Sequence, residues 1–267
     1  MEKLKKGIKT FFIIMSFLLV NIIIDVITGA SIPSIIAQVK DGNILKASGY
    51  VIYGVLCGQV VKLILLYFYI KKRDKTFKSK YDRTYIQNGE IKNPLTLVGI
   101  GIGTLGFGQL LTNLIMKALA GTEILKSSMD LLQNVFNAKG LADGVAILLV
   151  TVIGAPLVEE LLFRGVLFEE LRKEISLKGT IFLTSIVFGI YHFNILQSSN
   201  AFFLGLVLAY VYYKTRSIEA SIIIHATNNM VAMIPFLDRG LSPIGICIYT
   251  VFLIIGIYSL ITLRRKA

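Results

Sequence analysis

The stretch GAPLVEELLFRG, residues 154–165, places Glu159, Glu160 and Arg164 inside a long apolar run. The only two histidines of the chain lie in similar surroundings, His192 in FGIYHFN and His225 in IIIHATNNM, the latter with Asn229 four residues on. A carboxylate and an imidazole together can take a proton from water and direct the oxygen at a carbonyl carbon. A second imidazole or an amide can donate to the oxyanion that forms. Glu159, His192 and His225 can equally hold a zinc ion with an open position for water. Either arrangement hydrolyses an amide, and the residue types leave the choice open, so the cofactor is none or one divalent metal. There is no H-E-x-x-H segment and no G-x-S-x-G elbow, which argues against an ordinary zincin and against a serine nucleophile.

The elements that carry these groups are set by composition. The chain has 267 residues, of which 55% are hydrophobic and 16% charged. A soluble domain has roughly 25% charged residues. The expectation is an all-α, polytopic membrane protein forming one integral membrane domain over 1–267. A spanning helix needs about 20 mostly apolar residues. Eight segments qualify, near 10–27, 47–70, 95–119, 142–168, 179–196, 200–213, 218–236 and 243–262. The basic start MEKLKKGIKT with its long apolar continuation reads as an uncleaved first span. With the amino terminus inside, 20 of the 28 Lys and Arg residues fall on the cytoplasmic side and 6 on the other. That bias supports an even number of spans and cytoplasmic termini.

A charge near the bilayer centre costs about 2.5–3.5 kcal/mol. Glu159, Glu160 and Arg164 must therefore face the bundle interior or a wet cavity. Glu160 and Arg164 are spaced i,i+4 and can meet on one helix face. Glu159 points about 100° away from Glu160, so the two need not share a role. At 1.5 Å per residue, His225, Glu159, Asn229 and His192 lie about 11, 14, 17 and 20 Å from the cytoplasmic ends of their spans. All four fall between the cytoplasmic leaflet and the midplane of a core about 30 Å thick. Three helices can then converge on one cavity open to the cytoplasm.

Other features have plainer readings. GIGIGTLGFG, 99–108, contains G-x-G-x-x-G at Gly101, Gly103 and Gly106, but no strand precedes it. Gly99 and Gly103 form G-x-x-x-G, which lets helix backbones approach closely, so helix packing is expected. Asp25 and Lys62 are expected to pair within the membrane. Asn21, Gln109 and Asn113 are expected to bond across helices. Glu169 and Glu170, followed by Arg172 and Lys173, read as a solvated helix end. The polar, basic segment 71–94 reads as a loop beside anionic headgroups. Cys57 and Cys247 lie in apolar spans and suggest neither a disulfide nor a zinc site. The net charge of +12 is placed mostly between spans, so topology and lipid contact account for it better than nucleic acid does.

The order of the motifs resembles a known group. EELLFR fits E-E-x-x-x-R, FGIYH fits F-x-x-x-H and HATNN fits H-x-x-x-N, each on its own apolar segment. In that order they look like the CPBP family of intramembrane proteases. That family takes in the Rce1-like CAAX prenyl endopeptidases and bacterial bacteriocin-processing or self-immunity homologues. The resemblance covers a core over roughly 142–236, and no motif position departs from it. It implies an endopeptidase in the cell membrane. By carry-over, Glu159 and His192 activate water, His225 and Asn229 stabilise the oxyanion, and Glu160 and Arg164 organise the site. The family is often called a metalloprotease, yet the same residues support a glutamate mechanism without metal. The partners implied are the lipid bilayer and a peptide or membrane-associated protein substrate, such as a CAAX C-terminus, a peptide pheromone or a bacteriocin leader. Two rival functions remain at this stage, a proton-coupled transporter and a non-catalytic immunity or scaffold protein.

Overall fold

Apolar runs of this length form helices because hydrocarbon offers the backbone no partner but itself. The computed structural model describes residues 2–81, 91, 93–237 and 239–266, and every element among them is helical. In chain order the helices are α1 (Glu2–Asp41), α2 (Val51–Tyr81), α3 (Pro94–Ala118), α4 (Glu123–Phe136), α5 (Leu141–Leu171), α6 (Leu177–Ile190), α7 (Ile195–Thr215), α8 (Ile218–Ala232) and α9 (Pro243–Lys266). Short 3-10 turns follow at Ile44–Tyr50 and Pro235–Leu237. Six of the expected spans are helices long and apolar enough to cross a membrane, in α1, α2, α3, α5, α7 and α9. The remaining two, α6 and α8, have 14 and 15 residues. The chain is a polytopic, all-α integral membrane protein.

Several boundaries differ from the sequence reading. The first span does not stop at 27: α1 continues to Asp41 through Pro33. A membrane helix tolerates Pro where neighbouring groups re-satisfy the freed backbone. α2 likewise stays helical to Tyr81, so the first half of the basic 71–94 segment is helix, while 82–90 and 92 lie outside the described residues.

The chain divides into two compact units, one of Met1–Tyr85 with Lys126–Val158 and one of Ile86–Leu125 with Glu159–Ala267. In the first unit α1 lies against α2. Gly54 and Gly58 permit the approach, since a Cβ on either would meet Thr28 at 2.9 or 2.7 Å. The expected pair forms, with Lys62 Nζ 2.6 Å from Asp25 Oδ1. Gln59 donates to the Val150 carbonyl at 3.1 Å, inside a π-helical stretch of α5 at Leu149–Gly154. Asn21 does not bond across helices. Its amide turns back to the Phe17 carbonyl of its own helix, the local alternative open to short polar side chains.

In the second unit α3 starts at Asn93, whose side chain caps Leu95 N–H, with Pro94 at the first helical position. α3 packs along α9 and α8 through its glycines. A Cβ on Gly103 would collide with the Gly256 backbone of α9, and one on Gly101 would lie 2.7 Å from the Ile224 carbonyl of α8. The G-x-G-x-x-G stretch is thus a packing surface. We expect Gly103→Leu to destabilise the full-length protein in detergent by at least about 1–3 kcal/mol, the range of overpacked cores. Gly144→Leu is the control, because a Cβ there meets nothing within 4 Å. Equal melting temperatures for the two variants would contradict the packing assignment. Asn113, like Asn21, bonds within its helix, to the Gln109 carbonyl. Glu169 is not a solvated end: it is buried and accepts from Tyr212 Oη at 2.7 Å and Arg216 Nη2 at 3.2 Å. Phe168, Ala209, Tyr212 and Ile218 form the apolar core above it.

Candidate active site

All six candidate residues belong to the second unit. Glu159 and Glu160 occupy the short α-helical stretch Ala155–Glu160 of α5, and a π-helical stretch, Leu161–Phe168, follows directly. π turns are rare and cluster at functional sites, where they redirect side chains along a helix. Arg164 lies in this stretch and still reaches back one turn, Nη1 donating to Glu160 Oε1 at 3.0 Å. Its Nη2 donates to the Gly205 carbonyl of α7 at 3.1 Å, and its guanidinium carbon lies 4.7 Å from the centre of the Phe188 ring. Arg164 and Glu160 are only 1% and 0% exposed. Charges buried this completely persist only when paired, as these are, although Glu160 Oε2 and Arg164 Nε have no hydrogen-bond partner among the described residues.

His225 enters from α8. Its Nδ1 lies 2.9 Å from Glu160 Oε1 and its Nε2 3.9 Å from Glu159 Oε2. One imidazole therefore stands between the two carboxylates, a different nitrogen facing each. Glu160 Oε1 collects both Arg164 and His225, while Glu160 Oε2 and Glu159 Oε2 are buried without a hydrogen-bond partner among the described residues. The Glu159 side chain as a whole is 14% exposed, so it is the less enclosed of the pair. The different environments match the angular separation of adjacent helical positions.

The helix α8 is held at a fixed rotation. Ser217 caps its first turn by accepting from Ala220 N–H, and Asn228 donates to Thr104 Oγ1 of α3 at 3.1 Å. Asn229 lies one turn beyond His225 and is half-buried.

His192 is not inside a helix, contrary to the sequence reading. α6 ends at Ile190, and Tyr191 and His192 form a turn. Phe193 adopts the left-handed conformation with φ 48°, and Asn194 then caps α7 by accepting from Leu196 and Gln197 N–H. A bulky residue at positive φ is unusual, and such strain collects at functional sites. His192 Nδ1 is 2.9 Å from the Phe188 carbonyl. A carbonyl only accepts, so Nδ1 carries the hydrogen and a neutral ring presents Nε2 as an acceptor.

Phe188 joins the parts. Its fully buried ring meets His192 edge-to-face at 5.2 Å, His225 at 5.8 Å and Phe163 at 4.9 Å, besides Arg164. Glu159, Glu160, Arg164 and His225 are thus brought together directly and His192 through Phe188, whereas Asn229 is placed only by its position one turn beyond His225 on α8. The sequence offered Phe188 only as the first position of F-x-x-x-H, and did not single out Asn228, Thr104 or the Gly205 carbonyl. The second asparagine of HATNN, three residues past His225, was the available signal for Asn228. Among the described residues no three His, Cys, Asp or Glu side chains are grouped closely enough to hold a metal ion.

Residues 141–231 match the family described as type II CAAX prenyl endopeptidase Rce1-like. Every candidate site residue falls inside the matched segment. No curated protein and no solved structure matches the chain.

Proposed function

We propose, from the Rce1-like match over 141–231 and the geometry it encloses, that the chain is an intramembrane endopeptidase that hydrolyses a peptide bond with Glu159-activated water. The observation that carries this reading is His225 set between Glu160 and Glu159, at 2.9 and 3.9 Å. The proposed water approaches Glu159 from the part of its side chain that is exposed, 14% in all, its Oε2 being enclosed beside His225. Glu159 takes one proton from that water as the oxygen adds to the substrate carbonyl carbon. His192 Nε2, free to accept because Nδ1 is engaged, orients the second hydrogen. The carbonyl electrons move to oxygen, and the oxyanion is met by His225 Nε2–H and the Asn229 amide. Glu159 then gives its proton to the leaving nitrogen, the C–N bond breaks, and the new carboxylic acid passes its remaining proton to the amine, so that a carboxylate and an ammonium depart.

Charge balance favours His225 as the donor. Glu159 and Glu160 supply two negative charges and Arg164 one positive, so a proton on both nitrogens of His225 makes the buried group neutral. Glu160 and Arg164 are positioning residues: they hold the imidazole rather than touch substrate. The basic-residue bias favours substrates presented from the cytoplasmic face of a cell membrane. The substrate class suggested by the family is a protein or peptide C-terminus, and the test probes are synthetic peptides ending in a CAAX sequence, with and without a prenyl group. Purified full-length protein in detergent is expected to cut one of them, and His192→Ala to lower the rate by about 10²-fold or more, the contribution of a positioned proton acceptor. Wild-type rates in that variant would remove His192 from the site.

No step here uses a metal. A preparation stripped by a strong chelator, and shown metal-free by elemental assay, is expected to keep its rate. Loss of cleavage with recovery on added zinc would instead make Glu159, His192 and His225 metal ligands. A scaffold or immunity protein would keep its phenotype with Glu159 replaced, and a transporter would lose flux without a peptide product.

A further inference from the structure

The first unit holds a second polar feature, unconnected with the proteolytic reading. At the end of α1 remote from its amino terminus is a hollow of about 710 Å³, formed with the Ile44–Tyr50 turn, the first turn of α2 and the start of α5. Lys40, Lys46 and Lys139 line it. Its two carboxylates accept hydrogen bonds from neutral donors, and Lys139 and Lys40 also act on Asp143 through their charge. Tyr50 Oη donates to Asp41 at 2.9 Å, Tyr53 Oη to Asp143 Oδ1 at 2.8 Å, and the Lys139 backbone N–H to Asp143 Oδ2 at 3.0 Å. Lys139 Nζ sits over Gly49, where a Cβ would come within 2.9 Å, and Lys40 Nζ lies 5.8 Å from the Tyr50 ring centre. Three ammonium groups against two carboxylates leave the hollow cationic.

These lysines are also exceptions to the charge bias of the sequence. They are three of the six basic residues that fall on the side opposite the amino terminus, and they converge from segments about 100 residues apart. Leu45, which lines the hollow, is 86% accessible, and Val39 and Leu141, each next in sequence to a lining residue, are 79% and 86% accessible, so apolar surface is exposed beside it. A soluble anion has no use for such a surface, whereas acyl chains attached to a bound phosphate would lie along it. We propose that this hollow binds the phosphate of an anionic phospholipid headgroup, with Lys40, Lys46 and Lys139 around the phosphate oxygens. Basic hollows at the ends of membrane helices recognise headgroups in this way.

The test uses full-length protein in neutral detergent, titrated with phosphatidylglycerol, with phosphatidylcholine of the same acyl chains, and with inorganic phosphate. Native mass spectrometry and melting temperature report binding. Phosphatidylglycerol is expected to bind and stabilise well beyond the other two. The triple variant Lys40→Gln, Lys46→Gln, Lys139→Gln is expected to bind it about a hundredfold more weakly, and the triple Arg variant to keep most of the affinity. Should the triple Gln variant not fold, Lys46→Gln alone is expected to weaken binding about fivefold. Unchanged affinity in the Gln variants, or equal effects of the two lipids, would overturn the proposal. Inorganic phosphate acting as well as phosphatidylglycerol would assign the hollow to a free ion and overturn the lipid reading.

Discussion

Glu159→Gln is expected to lower peptide cleavage by about 10³-fold, within the range for loss of a general base, while the protein remains folded. An amide is nearly the same size as the carboxylate but cannot take the proton from water. The substitution is mild for the fold, because Glu159 is the more accessible carboxylate and its Oε2 lies 3.9 Å from His225 Nε2. Melting temperature in detergent should stay close to wild type, which separates loss of chemistry from loss of structure. Cleavage within a few-fold of wild type would give the water-activating role to another group.

Arg164→Ala acts at the other carboxylate and with the opposite balance. Removing the guanidinium leaves Glu160, fully buried, with His225 as its remaining partner, and breaks the contacts to the Gly205 carbonyl and the Phe188 face. Breaking one half of a buried pair typically costs about 3–5 kcal/mol. The variant is expected to lose most of its thermal stability and to aggregate on extraction. The double variant Glu160→Leu with Arg164→Met removes both charges and should recover folding, since apolar replacement of a buried pair is often neutral. It should not recover cleavage, because His225 Nδ1 has then lost the acceptor that orients it. A stable, soluble Arg164→Ala protein, or an active double variant, would show that the pair does not organise the site.

The parts of this arrangement readable in the sequence were those fixed by local geometry. Glu160 and Arg164 meet because i and i+4 share a helix face. Glycines in α3 mark close packing because a helix offers few other uses for Gly at that density. Asp25 and Lys62 pair because hydrocarbon leaves them little choice. The turn at 191–194 was hidden because the apolar run SIVFGIYHFNIL contains no Pro and no Gly after Gly189. Only Asn194, a helix cap, announced it. The amphipathic helix α4, Glu123–Phe136, passed for a connection because its apolar positions are diluted by Glu, Lys, Ser and Asp. Glu169 was misread because its partners, Tyr212 and Arg216, are more than 40 residues away and no spacing rule connects them. The same holds for Phe188, whose ring gathers Arg164 and both histidines only after three helices have packed.

The central claim, that groups from α5, α8 and the turn after α6 act as one hydrolytic site, is tested most directly by cleavage in H₂¹⁸O. Wild-type full-length protein and the Glu159→Gln, His192→Ala and His225→Ala variants are given the same CAAX-terminated peptides, and products are weighed by mass spectrometry. One heavy oxygen in each new carboxyl group is expected from the wild type, with product reduced by about 10²-fold or more in every variant. Product without heavy oxygen, or any of the three variants cutting at the wild-type rate, would contradict the account.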